Sequence, residues 1–120
     1  MICDDKRMCV LVTGASGMIG SEAVLGLLAL GYRVIGVDRR EGVIARDDYE
    51  HCVCDLSDEG AVRSMISSRR IDRIVHLAAL AHSVDGSAFS WEDYYRLNVE
   101  CARNIFEAAG KIPVLFISRL

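Results

Sequence analysis

The sequence has no excess of basic residues, no Cys-x-x-Cys pair, no Gly-Lys-Ser/Thr and no long unbroken apolar run. Its 14 Lys and Arg stand against 17 Asp and Glu, a formal net charge of −3, so nothing supports nucleic-acid binding through a basic face. No apolar stretch reaches the roughly 18 residues that a membrane span needs. The opening, Met1-Ile2-Cys3-Asp4-Asp5-Lys6-Arg7, is too charged for a secretory signal. Without Gly-Lys-Ser/Thr, a nucleoside-triphosphate P-loop is excluded. The five cysteines, Cys3, Cys9, Cys52, Cys54 and Cys101, are odd in number. Cys52 and Cys54 are two apart on an expected strand and share a face, half of a metal site at most, with no partner pair of His or Cys. Buried free thiols in a reducing, cytoplasmic setting are expected, with no metal. There is no internal repeat and no low-complexity segment.

What is present is a chain of 120 residues that is 52% hydrophobic, enough for one domain. A chain of this size buries roughly 65% of the surface it exposes when unfolded. The most informative stretch is Val10-Leu11-Val12-Thr13-Gly14-Ala15-Ser16-Gly17-Met18-Ile19-Gly20. An apolar run, Met8 to Val12, predicts a strand buried on both faces. Gly14, Gly17 and Gly20 follow, and then a helical pattern that stops at Gly31. Gly14 lets the chain turn off the strand, Gly17 lets a pyrophosphate approach the backbone, and Gly20 lets the helix lie close on the sheet. The helix N-terminus presents unbonded N–H groups and a positive dipole end to the phosphates. A glycine triplet alone fits any tight strand-to-helix turn. Here a strand precedes it, a helix follows, and Asp38 ends the next strand, 18 residues past Gly20. At that position a carboxylate accepts bonds from both hydroxyls of an adenosine ribose. The stretch therefore predicts a dinucleotide site. Arg39 and Arg40 complicate the choice of cofactor, because a carboxylate repels a 2′-phosphate while an adjacent arginine pairs with one. NAD is favoured and NADP stays open.

The remaining elements follow in order. Residues 1–7 predict a flexible lead-in. The first helix is expected from about Met18 to Leu30, with Ile19, Ala23, Leu27 and Leu30 on one inner stripe and Val24 and Leu28 beside it. Arg33 to Val37 is a second strand and His51 to Cys54 a third. Ser57 or Asp58 caps a helix over about Asp58 to Ser68. Two readings of Asp55 stand side by side, a turn or capping residue and a residue at the adenine. Ile74 to Ala78 is a fourth strand containing His76, read as a hydrogen-bonded core histidine. Ala79 to Ser90 is a loop of small residues at the carboxyl end of that strand, where ligands bind in open α/β sheets. Ser90-Trp91-Glu92-Asp93 resembles a capping box ahead of a helix from Trp91 to Ala109. Tyr94, Leu97, Cys101, Ile105 and Ala108 mark its inner stripe, with Asn98 beside it. Gly110 ends the helix, and Pro113 to Ser118 is a fifth strand. Strands alternating with helices through short connections predict a parallel, doubly wound sheet with right-handed crossovers, in the order 3-2-1-4-5.

Together these residues resemble the extended short-chain dehydrogenase/reductase family, the NAD-dependent sugar-nucleotide epimerases and dehydratases, over nearly the whole chain. Thr13-Gly14-Ala15-Ser16-Gly17-Met18-Ile19-Gly20 looks like the family's T-G-x-x-G-x-x-G loop. Asp38 matches its ribose-binding acid, Asp55-Leu56 its pair at the adenine, and His76-Leu77-Ala78-Ala79 its H-L-A-A segment along the cofactor. Asn98-Val99 and Asn104-Ile105-Phe106-Glu107-Ala108-Ala109 resemble its long-helix signature, although Glu100 and Ala102 depart from the Gly and Thr usual there. The resemblance implies a Rossmann-like fold and a cofactor site made by Gly14, Ser16, Gly17, Met18, Ile19, Gly20, Asp38, Arg39, Asp55, Leu56, Leu77, Ala78, Ala79, Asn98 and Ser118.

The family's chemistry needs a Tyr-x-x-x-Lys pair. Four residues beyond Tyr32, Tyr49, Tyr94 and Tyr95 lie Gly36, Val53, Asn98 and Val99, none of them lysine. Leu120 falls about where the family has its catalytic Ser or Thr. The expectation is a truncated NAD(P)-binding domain over residues 1–120, without the C-terminal substrate domain, that binds cofactor without turnover. A sugar nucleotide would be a partner only with the missing part. The alternative is a non-catalytic structural or interaction remnant. In either case the fifth strand is left as an exposed apolar edge, which predicts a homodimer or higher oligomer.

Overall fold

Residues Cys9–Thr13 form β1, and all five are buried, as a strand covered on both faces requires. The computed structural model describes residues 6–77 and 90–117. Met18–Ala29 forms α1, Arg33–Asp38 β2, Tyr49–Val53 β3, Glu59–Ser67 α2, Arg73–His76 β4, Trp91–Ala109 α3 and Val114–Phe116 β5. The strands form one parallel sheet ordered β3-β2-β1-β4-β5. The topology is the expected one. The third strand starts two residues earlier than expected, at Tyr49, and the ends expected at Ala78 and Ser118 lie outside the described residues, as do the loop 79–89 and residues 1–5 of the lead-in.

Side-chain alternation along β1 divides the core in two. Cys9 and Leu11 pack with Val62, Met65 and Ile66 of α2 and Ile105 and Ala109 of α3. Val10 and Val12 pack on the other face with Val24 and Leu28 of α1. Each fully buried Val or Leu contributes about 1.5–3 kcal/mol through removal from water.

The inner face of α1 differs from expectation. Gly20, Val24 and Leu28 are buried, whereas Ile19 and Leu30 are 72% and 76% exposed. The helix is apolar nearly all round, so periodicity does not select a face. Gly20 selects it: a Cβ there would stand 1.8 Å from the Gly14 carbonyl oxygen, so the helix touches the loop along the 20-24-28 row. The caps follow the sequence more closely. Asp58 accepts from the Ala61 amide, and Ser90 and Asp93 make both bonds of a capping box. On α3 Cys101, Ile105 and Ala108 of the expected stripe pack into the core, Leu97 is half-buried, and Asn104 is buried too, donating from Nδ2 to the Leu56 carbonyl at 2.8 Å. The Tyr94 side chain lies outside the described residues. β5 is an edge of the described sheet, and its Leu115 and Phe116, with the following Ile117, are 59%, 43% and 47% exposed.

Candidate functional site

The carboxyl ends of β1, β2 and β4 meet at the N-terminus of α1. Gly14 takes a φ of +72°, which reverses the chain as it leaves β1. The Gly17 amide closes the turn on the Gly14 carbonyl at 3.0 Å, and the Ala15 amide anchors the loop to the Val37 carbonyl at 3.1 Å. Gly17 is the N-cap of α1 and brings no side chain to cap it. The first-turn amides, which have no partner within a helix, therefore point out of a bare loop. Met18 and Ile19, in this first turn, are 87% and 72% exposed. A cradle of main-chain amides whose N-cap brings no capping side chain fits a diphosphate.

Asp38 sits at the end of β2 and is tied to the same loop. Its Oδ2 accepts from the Ser16 amide at 3.1 Å, and its Oδ1 accepts from the Arg40 amide at 3.0 Å and Arg40 Nε at 3.3 Å. Burial pushes the Asp38 carboxyl up, but the amides of Arg40 and Ser16 and the Arg40 guanidinium outweigh it and hold the group below its ordinary value. Ser16 Oγ donates to the Glu41 carbonyl at 3.2 Å, a second tie between the glycine loop and the segment after β2. Arg39 and Arg40 are both exposed.

On the other side of β1, the Thr13 hydroxyl pairs with Nδ1 of His76 at 2.8 Å and accepts from the Leu77 amide at 2.9 Å. The histidine is buried and stacks on Phe116, with ring centroids 5.4 Å apart. The expected hydrogen-bonded core role holds for Nδ1, while Nε2 has no hydrogen-bond partner among the described residues. Burial lowers the His76 pKa to about 4, so the ring is neutral near pH 7.

The other expected site residues are placed as follows. Asp55 is exposed and accepts from the Ser57 amide at 3.0 Å and the Ser57 hydroxyl at 2.7 Å, bonds that shape the turn after β3. Leu56 next to it is 5% exposed, its side chain in the core shared with α2 and α3. Leu77 is half-buried beyond β4, and Asn98 is half-buried on α3. Ala78, Ala79 and Ser118 lie outside the described residues. The thiols of Cys9, Cys52, Cys54 and Cys101 are free, and burial pushes each of them up, Cys101 to about 11, which makes them poor nucleophiles.

One arrangement escaped sequence reasoning. Nε2 of His51 meets the Arg40 carbonyl at 2.8 Å, and Nδ1 meets the Tyr49 hydroxyl at 2.8 Å. A carbonyl only accepts, so Nε2 donates, and in the neutral ring Nδ1 accepts from the tyrosine. The Tyr49 hydroxyl lies against Gly36, where a Cβ would be 1.9 Å away. A glycine in mid-strand, with Tyr and His two apart on the next strand, was the available signal.

At the opposite, amino end of the sheet, a cavity of about 200 Å³ is lined by Cys9, Arg33, Val34, Ile35, Glu50, Arg69 and Arg70. Arg69 is engaged there with Glu50, the Met65 carbonyl and the Ser68 hydroxyl. No described helix is long and apolar enough to cross a membrane, and no group of three or more His, Cys, Asp or Glu among the described residues could hold a metal ion.

Residues 10–118 match the NAD dependent epimerase/dehydratase family. A UDP-glucose 4-epimerase of Oryza sativa subsp. japonica is 38% identical over 111 residues, which cover 82% of this chain and 27% of the relative. A probable dTDP-glucose 4,6-dehydratase of Sinorhizobium fredii is 30% identical, covering 85% of this chain and 31% of its own. Among solved structures, UDP-glucose 4-epimerase from Thermotoga maritima with UDP-glucose superposes with a TM-score of 0.77 at 30% identity, over 91% of this chain and 37% of that one. A mutant uronate dehydrogenase from Agrobacterium tumefaciens, complexed with NAD, gives 0.76 at 28% identity over 93% and 41%. The chain thus spans between about a quarter and two fifths of the length of these proteins.

Proposed function

The chain belongs to the NAD dependent epimerase/dehydratase family, and from that premise we propose that it is the cofactor-holding part of an enzyme of that class, with NAD as its ligand. The observation that carries this reading is the uncapped glycine turn at the head of α1, with the Asp38 carboxylate bonded to the same loop. The amides of residues 18–20 would take the diphosphate and Asp38 the adenosine ribose. Arg39, Asp55, Leu56 and Leu77 would border the adenine and nicotinamide ends, with Ala78, Ala79, Asn98 and Ser118 completing the site. Thr13 and His76 hold the ends of β1 and β4 in register behind it. Bound NAD supplies hydride transfer.

In this reading the chain orients the dinucleotide and does not turn over a substrate, because no tyrosine is followed four residues later by a lysine. Residues outside this sequence would supply the acid/base pair and the sugar-nucleotide pocket. The family relatives that act on nucleotide-linked sugars support that substrate class. The free thiols favour a reducing, cytoplasmic setting.

A second reading rests on the exposed apolar run Leu115, Phe116 and Ile117. A sheet edge of this kind pairs with another chain, and a homodimer or higher oligomer that keeps the fold without the ligand would use it. Calorimetric titration with NAD separates the two. The first reading predicts saturable 1:1 binding that Gly17→Val abolishes while the circular dichroism stays unchanged. No heat of binding in the parent protein, with a concentration-dependent oligomer by light scattering, leaves the second.

A further inference from the structure

We infer that Arg40 is a specificity-determining residue whose side chain occupies the adenosine-ribose seat and must swing out before a dinucleotide binds. The inference rests on the proposed cofactor site and assigns to that site a competitor of its own.

Asp38 has too few lone pairs for Arg40 and a ribose together. An ionised carboxylate offers about four acceptor positions, two on each oxygen. Oδ1 already receives the Arg40 amide and Arg40 Nε, and Oδ2 receives the Ser16 amide. One position is left. A ribose that donates from both its 2′- and 3′-hydroxyls needs two. The Ser16 and Arg40 amides are fixed by the backbone, so the bond from Nε is the one that can yield.

The guanidinium also lies across the route to the diphosphate cradle. Its Nη2 stands 3.8 Å from where a Cβ on Gly17 would be. The closed side chain therefore spans from the ribose acid to the glycine turn. It covers a carboxylate whose side chain is 10% exposed while remaining 68% exposed itself. An exposed ion pair of this kind is readily broken.

The main chain of Arg40 stays in place when the side chain moves. Its amide is bonded to Asp38 and its carbonyl to His51 Nε2, which Tyr49 orients in turn. The arm is thus anchored at its root and free at its tip. Swung outward beside the ribose, the guanidinium offers its paired N–H groups to a phosphate at the 2′ position. The same side chain hinders NAD when closed and attracts NADP when open.

The experiment compares NAD and NADP binding by calorimetry in the parent protein and in the Arg40→Gln and Arg40→Lys variants. NMR of the arginine Nε–H groups is recorded in parallel. Arg40→Gln should bind NAD about threefold tighter, the scale of an exposed ion pair, and NADP at least threefold weaker. Arg40→Lys, which keeps the charge but not the fork, should tighten NAD and lose less of NADP than the glutamine variant. In the parent protein, the Nε–H signal of Arg40 should shift when NAD is added. Unchanged or weaker NAD affinity in Arg40→Gln, with the parent binding NAD normally, overturns the role of Arg40 alone. Absence of NAD binding in the parent and both variants overturns the cofactor site itself, and this inference with it.

Discussion

The Thr13 hydroxyl and Nδ1 of His76 stand 2.8 Å apart and close the carboxyl ends of β1 and β4 on each other. The two residues are also register partners in the sheet. Thr13 is 0% and His76 1% exposed, so this polar pair sits inside the core, just behind the glycine turn.

That burial makes the fold sensitive to acid. The folded His76 pKa is lowered from 6.5 to about 4. As pH falls below 6.5 the unfolded chain takes up a proton that the folded chain refuses, so stability drops until about pH 4, where the folded ring also protonates. The full shift corresponds to about 3 kcal/mol. Above pH 6.5 this contribution is fully present. Urea denaturation between pH 7 and 5 should show stability falling with acid in the parent protein. The slope should flatten in His76→Phe, which keeps a ring against Phe116. An equal slope in both proteins would contradict the assignment.

Gly20 and Gly26 lie on the same helix and should respond to alanine with opposite signs. A Cβ at Gly20 meets the Gly14 carbonyl oxygen at 1.8 Å, and a backbone atom cannot step aside. Gly20→Ala should cost roughly 3 kcal/mol, the upper range for overpacking, and should disturb the cofactor turn. At Gly26 nothing lies within 4 Å, and the position is mid-helix and exposed. Gly26→Ala should stabilise by about 0.5–1 kcal/mol. Thermal unfolding of the two variants checks both values. A Gly20→Ala protein as stable as the parent would mean that α1 does not rest on the loop.

The parts of the fold that were legible in the sequence are those governed by local chemistry. The Asp58 and Ser90 caps, the stop at Gly110 and the turn at Gly14 each follow from one residue's preference. Strand order followed from the alternation of elements and the handedness of crossovers. The inner face of α1 was not legible, because Ile19, Leu27 and Leu30 are as apolar as Val24 and Leu28, and only the approach at Gly20 chooses between them. Asn104 was placed in a helix signature, but its bond to the Leu56 carbonyl joins residues 48 apart, and no local pattern reports such a bond. The same holds for the site. Gly14, Gly17, Gly20 and Asp38 announced themselves by spacing. The Tyr49–His51–Arg40 chain depends on the pairing of β2 with β3 and on the room that Gly36 leaves for a phenol ring.

The most direct measurement is a crystal structure of the protein soaked with NAD. The account predicts diphosphate oxygens within hydrogen-bond distance of the amides at residues 18–20, both ribose hydroxyls on Asp38, and the Arg40 guanidinium turned away from that carboxylate. A dinucleotide bound instead at the amino ends of the strands, against Arg33 and Arg70, would contradict it, as would a saturated crystal with the glycine turn empty.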